Sequence, residues 1–132
     1  MIIGIPRETF AGEHRVALVP DAVSVLAALN VEIVVEPGAG ESAGFADANY
    51  AKQGADIAAD RDEVFARADV VLQVRTFGAN PQAGRADLAR TRSGQVFIGT
   101  SDPLTAGPQL REMAATGATL FAMELILSLI HI

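Results

Sequence analysis

Residues 68–74, Ala-Asp-Val-Val-Leu-Gln-Val, restrict the fold more than any other stretch of the chain. A nearly continuous apolar run of strand length has no polar face to offer water. It therefore demands cover on both sides, the situation of a strand inside a parallel sheet between helical layers. A parallel sheet in turn requires crossover connections, so the flanking segments must contain helices. The flanks meet that demand. Ile2 to Ile5 reads as a first buried strand stopped by Pro6, which cannot donate to a ladder. Pro20 and Asp21 open a helix with Val23, Leu26, Ala27 and Val19 on its inner face, and Asn30 ends it in the left-handed conformation that Asn tolerates. Val31 to Glu36 is a second strand, closed by Pro37-Gly38.

The alternation continues to the far end. Asp47 to Gly54 reads as a short helix and Ala55 to Ala58 as a short strand. Asp60 to Ala66 is a helix with Asp60 at its cap and Glu63 three residues on, the pattern of a capping box. After the 68–74 strand come a Gly/Pro/Asn loop over Thr76 to Gly84, a short polar helix over Arg85 to Arg92 and a strand over Gln95 to Gly99. Leu104 to Thr116 fits a helix with Leu110, Met113 and Ala114 inward, and Thr119 to Met123 a last strand. Strands alternating with helices at this spacing predict right-handed βαβ units in one α/β domain, a three-layer parallel sheet of Rossmann or flavodoxin type.

Composition closes off other classes. Of the 132 residues half are hydrophobic and a fifth charged, the balance of a folded chain with a core. Sixteen acidic residues against ten basic ones leave a formal charge of −6, which argues against general nucleic-acid binding. Without cysteine, and with only two histidines, a structural zinc site or disulfide framework is not expected. The first residues do not read as a secretory signal, and no run approaches the roughly 20 apolar residues of a membrane helix. The last residues, 126–132, are nearly all apolar and are read as an atypical tail, a truncation or a foreign end, beyond a domain of residues 1–125.

Candidate chemistry is sparse. Gly38-Ala39-Gly40-Glu41-Ser42-Ala43 satisfies the loose dinucleotide pattern, but it follows the second strand and places Glu41 where a phosphate would sit, so a structural turn is the better reading. Arg15 could hold a carboxylate or phosphate with its forked guanidinium, or simply pair with Glu13 or Glu8. Arg7-Glu8 reads as a structural ion pair and His14 as a solvent-facing loop residue. Gln73 and Arg75, at the end of the strongest strand, and Asp102, beyond the next one, share the sheet edge where ligands of open α/β folds gather.

Several separated motifs then occur in order: Ile3-Gly4-Ile5-Pro6-Arg7-Glu8, Gly12-Glu13-x-Arg15-Val16-Ala17-Leu18-x-Pro20, Val35-Glu36-x-Gly38-Ala39-Gly40 and Ala68-Asp69-Val70-Val71-Leu72-Gln73-Val74. Together they resemble the N-terminal domain shared by alanine dehydrogenases and the alpha subunit of proton-translocating NAD(P) transhydrogenase, from Met1 to about Leu125. For an alanine dehydrogenase the resemblance implies a keto acid held by an Arg matching Arg15 and a Lys matching Arg75, with a catalytic His where this chain carries Asp102. The Lys and the His are missing, and a guanidinium cannot exchange protons as an amine does. Phe121-Ala122-Met123-Glu124-Leu125 resembles the transhydrogenase branch instead, and Ile126-Leu127-Ser128 departs from its usual continuation.

The transhydrogenase resemblance implies hydride transfer from NADH to NADP⁺ in the complete protein, with NAD(H) and NADP(H) as cofactors. It implies as partners a following NAD-binding domain of the same subunit, membrane and NADP-binding components, and a second copy in a homodimer. The location implied is the cytoplasmic face of a bacterial plasma membrane. Arg15, Gln73, Arg75, Asp102, Met123 and Glu124 would line the cleft, Met123 and Glu124 having plain alternatives as a core Met and a capping Glu. The chain alone is expected not to bind the cofactor tightly. Because the family's domain is completed by a helix from the far end of the subunit, apolar sheet surface is expected to stay wet here.

Overall fold

The computed structural model describes residues 1–126. Six strands, β1 (Ile2–Ile5), β2 (Glu32–Val35), β3 (Asp56–Ile57), β4 (Val70–Arg75), β5 (Val96–Thr100) and β6 (Thr119–Ala122), form one sheet in the order β3-β2-β1-β4-β5-β6. Every pairing is parallel, as the 68–74 run demanded. The order reverses between β1 and β4, which makes the carboxyl ends of these two strands the topological switch point, the place where open α/β sheets bind ligands.

Four α-helices make four of the five crossovers, α1 (Pro20–Ala27), α2 (Asp47–Lys52), α3 (Arg61–Arg67) and α4 (Gly107–Ala115), and 3₁₀ turns carry the one from β4 to β5. On one face, Val23 of α1 and Tyr50 of α2 pack onto Ile3, Ile5, Ile33 and Val35. On the other, Phe65 of α3 and Met113 of α4 bury Val71 and Phe97, while Val64 packs on Val34. Gly4 lies under α3 because a Cβ there would meet Ala68 Cβ at 2.7 Å and Val64 Cγ1 at 2.9 Å. Asp60 caps α3, accepting from the Glu63 N–H at 2.9 Å, and the returning Glu63 carboxylate takes the Ala59 N–H, one residue earlier than in a strict capping box.

Cover over the sheet is unequal. Registered residues share a face, so Leu72, Ile98 and Phe121 project to the side that α1 and α2 occupy. Those helices reach only β1–β3, and beyond them the apolar row is open: Leu72 and Ile98 are half-buried and Phe121 is 56% exposed. The wet apolar sheet surface expected from the sequence is this half-face.

Several local expectations need correction. Val19, Ala27 and Ala114 are exposed, because α1 and α4 are short and each buries a narrow stripe centred on Val23 or Met113. Leu104 is outside any helix and exposed, since Asp102 takes a left-handed backbone (φ 51°) and the chain turns through residues 103–105 before α4 begins at Gly107. The polar segment read as a helix over 85–92 is a 3₁₀ helix over Ala83–Arg90, and the preceding loop holds another at Phe77–Ala79. Asn30 does adopt a left-handed conformation, with φ 61°. Of the tail 126–132, all but Ile126 lies outside the described residues.

Candidate functional site

At the switch point the loop after β1 folds over the ends of β4 and β5. A cleft of about 500 Å³ opens there, lined by Arg15, Val16 and Ala17 from the loop, Leu72 to Val74 of β4, Ile98 to Thr100 of β5, and Met123. Its floor is the start of the open apolar row. A bulge shapes its rim: Leu72 pairs with Ile98 but Arg75 pairs with Thr100, so β4 carries one residue more than β5. Gly99 makes the bulge feasible, because a Cβ there would meet the Gln73 carbonyl oxygen at 2.2 Å.

Beside the cleft, sharing Arg15, lies a smaller polar pocket of about 230 Å³ that contains Glu8, Phe10 and Glu13. Glu13 is its centre. Arg15 Nε donates to Glu13 Oε2 at 2.8 Å and Arg15 Nη2 to Oε1 at 2.9 Å, a bidentate fork. Arg75 Nε donates to Glu13 Oε1 at 3.0 Å, and its guanidinium lies 3.9 Å over the Phe10 ring. The Arg15 fork, opposed by burial and reinforced by Arg75, brings the Glu13 carboxyl down to about 2. Of the two partners foreseen for Arg15, the structure selects Glu13.

Glu8 departs from expectation. It makes no ion pair with Arg7; its carboxylate accepts the backbone N–H groups of Val74 at 2.9 Å and Arg75 at 3.0 Å. Those groups are freed by the bulge, and a carboxylate is the strongest acceptor available to them. Burial pushes the Glu8 carboxyl up against the pull of these two donors, and the Glu13 charge adds to the rise. Sequence inspection missed this because the partners lie 66 and 67 residues away. The only local signal is an acid two residues past the strand-ending Pro6.

The other predicted residues divide. Gln73, Arg15 and Met123 line the cleft together, and the partly exposed Met123 is no core residue. Arg75 reaches the polar pocket through Glu13. Asp102 and Glu124 meet through the backbone: Glu124 accepts from the Ser101 N–H at 3.0 Å and the Asp102 N–H at 2.9 Å, capping the turn after β5. Burial opposes its ionisation, but the N–H groups of Asp102, Glu124 itself and Ser101 outweigh it and hold the carboxyl below its usual range. His14 is exposed in the loop.

The Gly38–Ala43 turn does not fit a dinucleotide. The Gly38 N–H already donates to Asp47 Oδ1 at 2.9 Å, and the Glu41 carboxylate lies against Gly38. Gly40 is needed for packing, since a Cβ there would meet the Tyr50 ring at 2.7 Å. A pyrophosphate would meet two carboxylates at a turn whose Gly38, Ala39, Glu41 and Ala43 N–H groups are already engaged.

The alanine dehydrogenase/PNT N-terminal domain model matches residues 4–130. The chain belongs to this family. It is 39% identical over 126 residues to the NAD(P) transhydrogenase subunit alpha of Cereibacter sphaeroides, an alignment covering 96% of this chain and 23% of that one. Its fold matches the crystal structure of transhydrogenase from Sinorhizobium meliloti with a TM-score of 0.87 and 34% identity, over 99% of this chain and 37% of that one. The alanine dehydrogenase of Mycobacterium tuberculosis is 38% identical over 98 residues, 74% of this chain and 25% of that one. The chain thus spans about a quarter of the length of these two curated relatives. Family members with these names are oxidoreductases, and the fold and resemblance read from the sequence stand. Among the described residues no helix is long and apolar enough to cross a membrane.

Proposed function

We propose that this chain is the N-terminal part of the NAD(H)-side component of a proton-translocating NAD(P) transhydrogenase, and that it forms one wall of the cofactor cleft. The observation that carries the reading is the open apolar row Leu72–Ile98–Phe121 running into a cleft at the topological switch point, on a chain that aligns with transhydrogenase alpha subunits across 96% of its length. An apolar half-face at a ligand edge is a surface made to be covered, and later parts of the same subunit, its following domain and the helix from its far end, are the cover proposed.

In the complete enzyme NAD(H) and NADP(H) supply the hydride chemistry. The residues of this chain position and exclude: Leu72, Ile98 and Met123 keep water from the wall, Gln73 offers an amide at the rim, and Arg15 and Arg75 frame the polar corner. Asp102 and Glu124 hold the turn after β5 at the mouth of the cleft. The glycine turn plays no part in gripping the dinucleotide, so the chain alone binds it weakly or not at all. The reading includes a homodimer, membrane and NADP-binding partners, and a place on the cytoplasmic face of a bacterial plasma membrane.

The competing reading, an alanine-dehydrogenase-like enzyme, rests on the second group of relatives. It lacks the Lys and His that the resemblance implies, since Arg75 and Asp102 occupy those places. The deciding experiment uses the complete reading frame, co-purified with its NADP-binding partner. NADH-dependent reduction of an NADP⁺ analogue without pyruvate turnover supports the proposal. Reductive amination of pyruvate without hydride transfer between nucleotides overturns it.

A further inference from the structure

The bulge in β4 decides which side chain reaches the polar corner of the crevice. Thr100 is two residues past Ile98 and so shares its face of the sheet. In an unbroken ladder Val74 would lie opposite Thr100; with the extra residue Arg75 does, and a one-residue shift exchanges the two faces of a strand. The bulge therefore carries Arg75 to Glu13 and Phe10 and sets Gln73 at the rim beside it. Within the bulge β5 meets two carbonyls: Gly99 makes room for that of Gln73, and Thr100 Oγ1 donates to that of Val74. The Val74 and Arg75 N–H groups take no part in this. Consecutive N–H groups of a regular strand point to opposite sides, yet both of these donate to the one carboxylate of Glu8, at 2.9 and 3.0 Å. Glu8 thus fits the bulged strand and not a regular one.

We infer that Glu8 is a positioning residue, whose carboxylate holds β4 in the register that brings Gln73 and Arg75 to the crevice. Its loss strands two N–H groups, and the shift that would re-pair them with β5 turns Arg75 away and puts Val74 in its place. The charges facing Glu8 are Glu13 and Arg15 of its own loop and Arg61 of α3, with the Arg75 guanidinium beyond Glu13. Burial keeps the Glu8 carboxyl above its ordinary range, while that of Glu13 is brought down to about 2, so Glu8 takes up a proton at a pH where Glu13 is still charged. The role is the same whichever oxidoreductase the complete subunit is.

The test is a pH series of the ¹⁵N-labelled 132-residue chain between about pH 8 and pH 3. It follows the Val74 and Arg75 amide protons and the nuclear Overhauser contacts between Arg75 and the Phe10 ring. In the unmodified chain both amide protons should move upfield together with one midpoint. The Arg75–Phe10 contacts should fade across that same midpoint while the Val23 and Tyr50 resonances of the core stay native. In Glu8→Gln, which keeps the shape but offers one acceptor oxygen in place of two, the shared midpoint should vanish and the contacts should be weak at every pH. Amide protons that titrate separately or not at all overturn the inference, and this arm requires no variant to fold. Full Arg75–Phe10 contacts after both amides have titrated overturn it too. A Glu8→Gln chain that melts earlier with Arg75 still on Phe10 marks Glu8 as a stabiliser only, and overturns it equally.

Discussion

Arg61 is the residue whose removal should most damage the platform beneath the site. It is the first residue of α3, yet it reaches the ends of two strands and the 83–90 segment at once. Its Nη1 donates to the Arg7 carbonyl at 2.7 Å and to Glu36 Oε2 at 3.0 Å; Nε and Nη2 take both oxygens of Asp87 at 2.8 and 2.7 Å. The side chains of Arg61, Glu36 and Asp87 are 14%, 12% and 11% exposed, so solvent screens them little. Removing one partner from a buried ion pair costs about 3–5 kcal/mol, most of it the penalty of the charge left behind. Asp87 would keep Arg90 at 3.1 Å and Glu36 would keep the Arg7 N–H. These residual partners place Arg61→Met at the low end, about 3 kcal/mol. With a urea dependence of about 2 kcal/mol per molar, the unfolding midpoint should fall by roughly 1.5 M. Adding Glu36→Leu removes the stranded carboxylate and should restore more than half of the loss, a non-additivity that a double-mutant cycle reads directly. A loss under about 1 kcal/mol for Arg61→Met, or a double variant as unstable as the sum of the singles, would refute the reasoning.

Three further outcomes are expected. Gln95 is fully buried; its amide donates to the Phe65 and Ala68 carbonyls at 2.8 and 2.9 Å and accepts from the Arg92 N–H at 3.2 Å, so Gln95→Leu should cost about 2–4 kcal/mol in chemical denaturation by leaving the Phe65 carbonyl and the Arg92 N–H unpaired, while the Ala68 carbonyl keeps Arg92 Nη2. Tyr50 Oη donates to the Leu18 carbonyl at 2.7 Å, and Tyr50→Phe should cost about 1–2 kcal/mol. Burial, helped by the Asp47 charge, pushes the Tyr50 hydroxyl up to about 12 from 10.0. Its contribution is therefore full below pH 10 and lost as pH rises through 12, a decline that a pH series of melts should show in the native chain and not in Tyr50→Phe. Glu13 has the opposite sign: with its carboxyl brought from 4.5 to about 2, its stabilisation is present above pH 4.5 and lost as pH falls toward 2, and Glu13→Gln should flatten that part of the acid profile.

Most of the fold was legible because β-branched apolar runs bounded by Pro, Gly and Asn leave few alternatives. Each strand expected from the sequence is present within two residues of its bounds, and the parallel arrangement followed from the two-sided apolarity of residues 68–74. Helix faces were less legible, since α1 and α4 have eight and nine residues and bury little beyond Val23, Pro20 and Met113. The polar site was legible only where a partner lies close in sequence, as with Glu13 and Arg15. Glu8 on the β4 backbone, Arg61 on Glu36 and Asp87, and Glu124 on the Ser101–Asp102 turn are contacts across 22 to 67 residues. Spacing carries no trace of them, because a carboxylate that serves a distant backbone donor looks like any surface acid.

The central claim is that this domain supplies a wall of the cofactor crevice while the groups that grip the dinucleotide lie on other polypeptide. Calorimetric titration of the folded 132-residue chain with NADH tests it most directly. No saturable heat at micromolar chain concentration is the predicted result; stoichiometric, micromolar-affinity binding by the chain alone would contradict it.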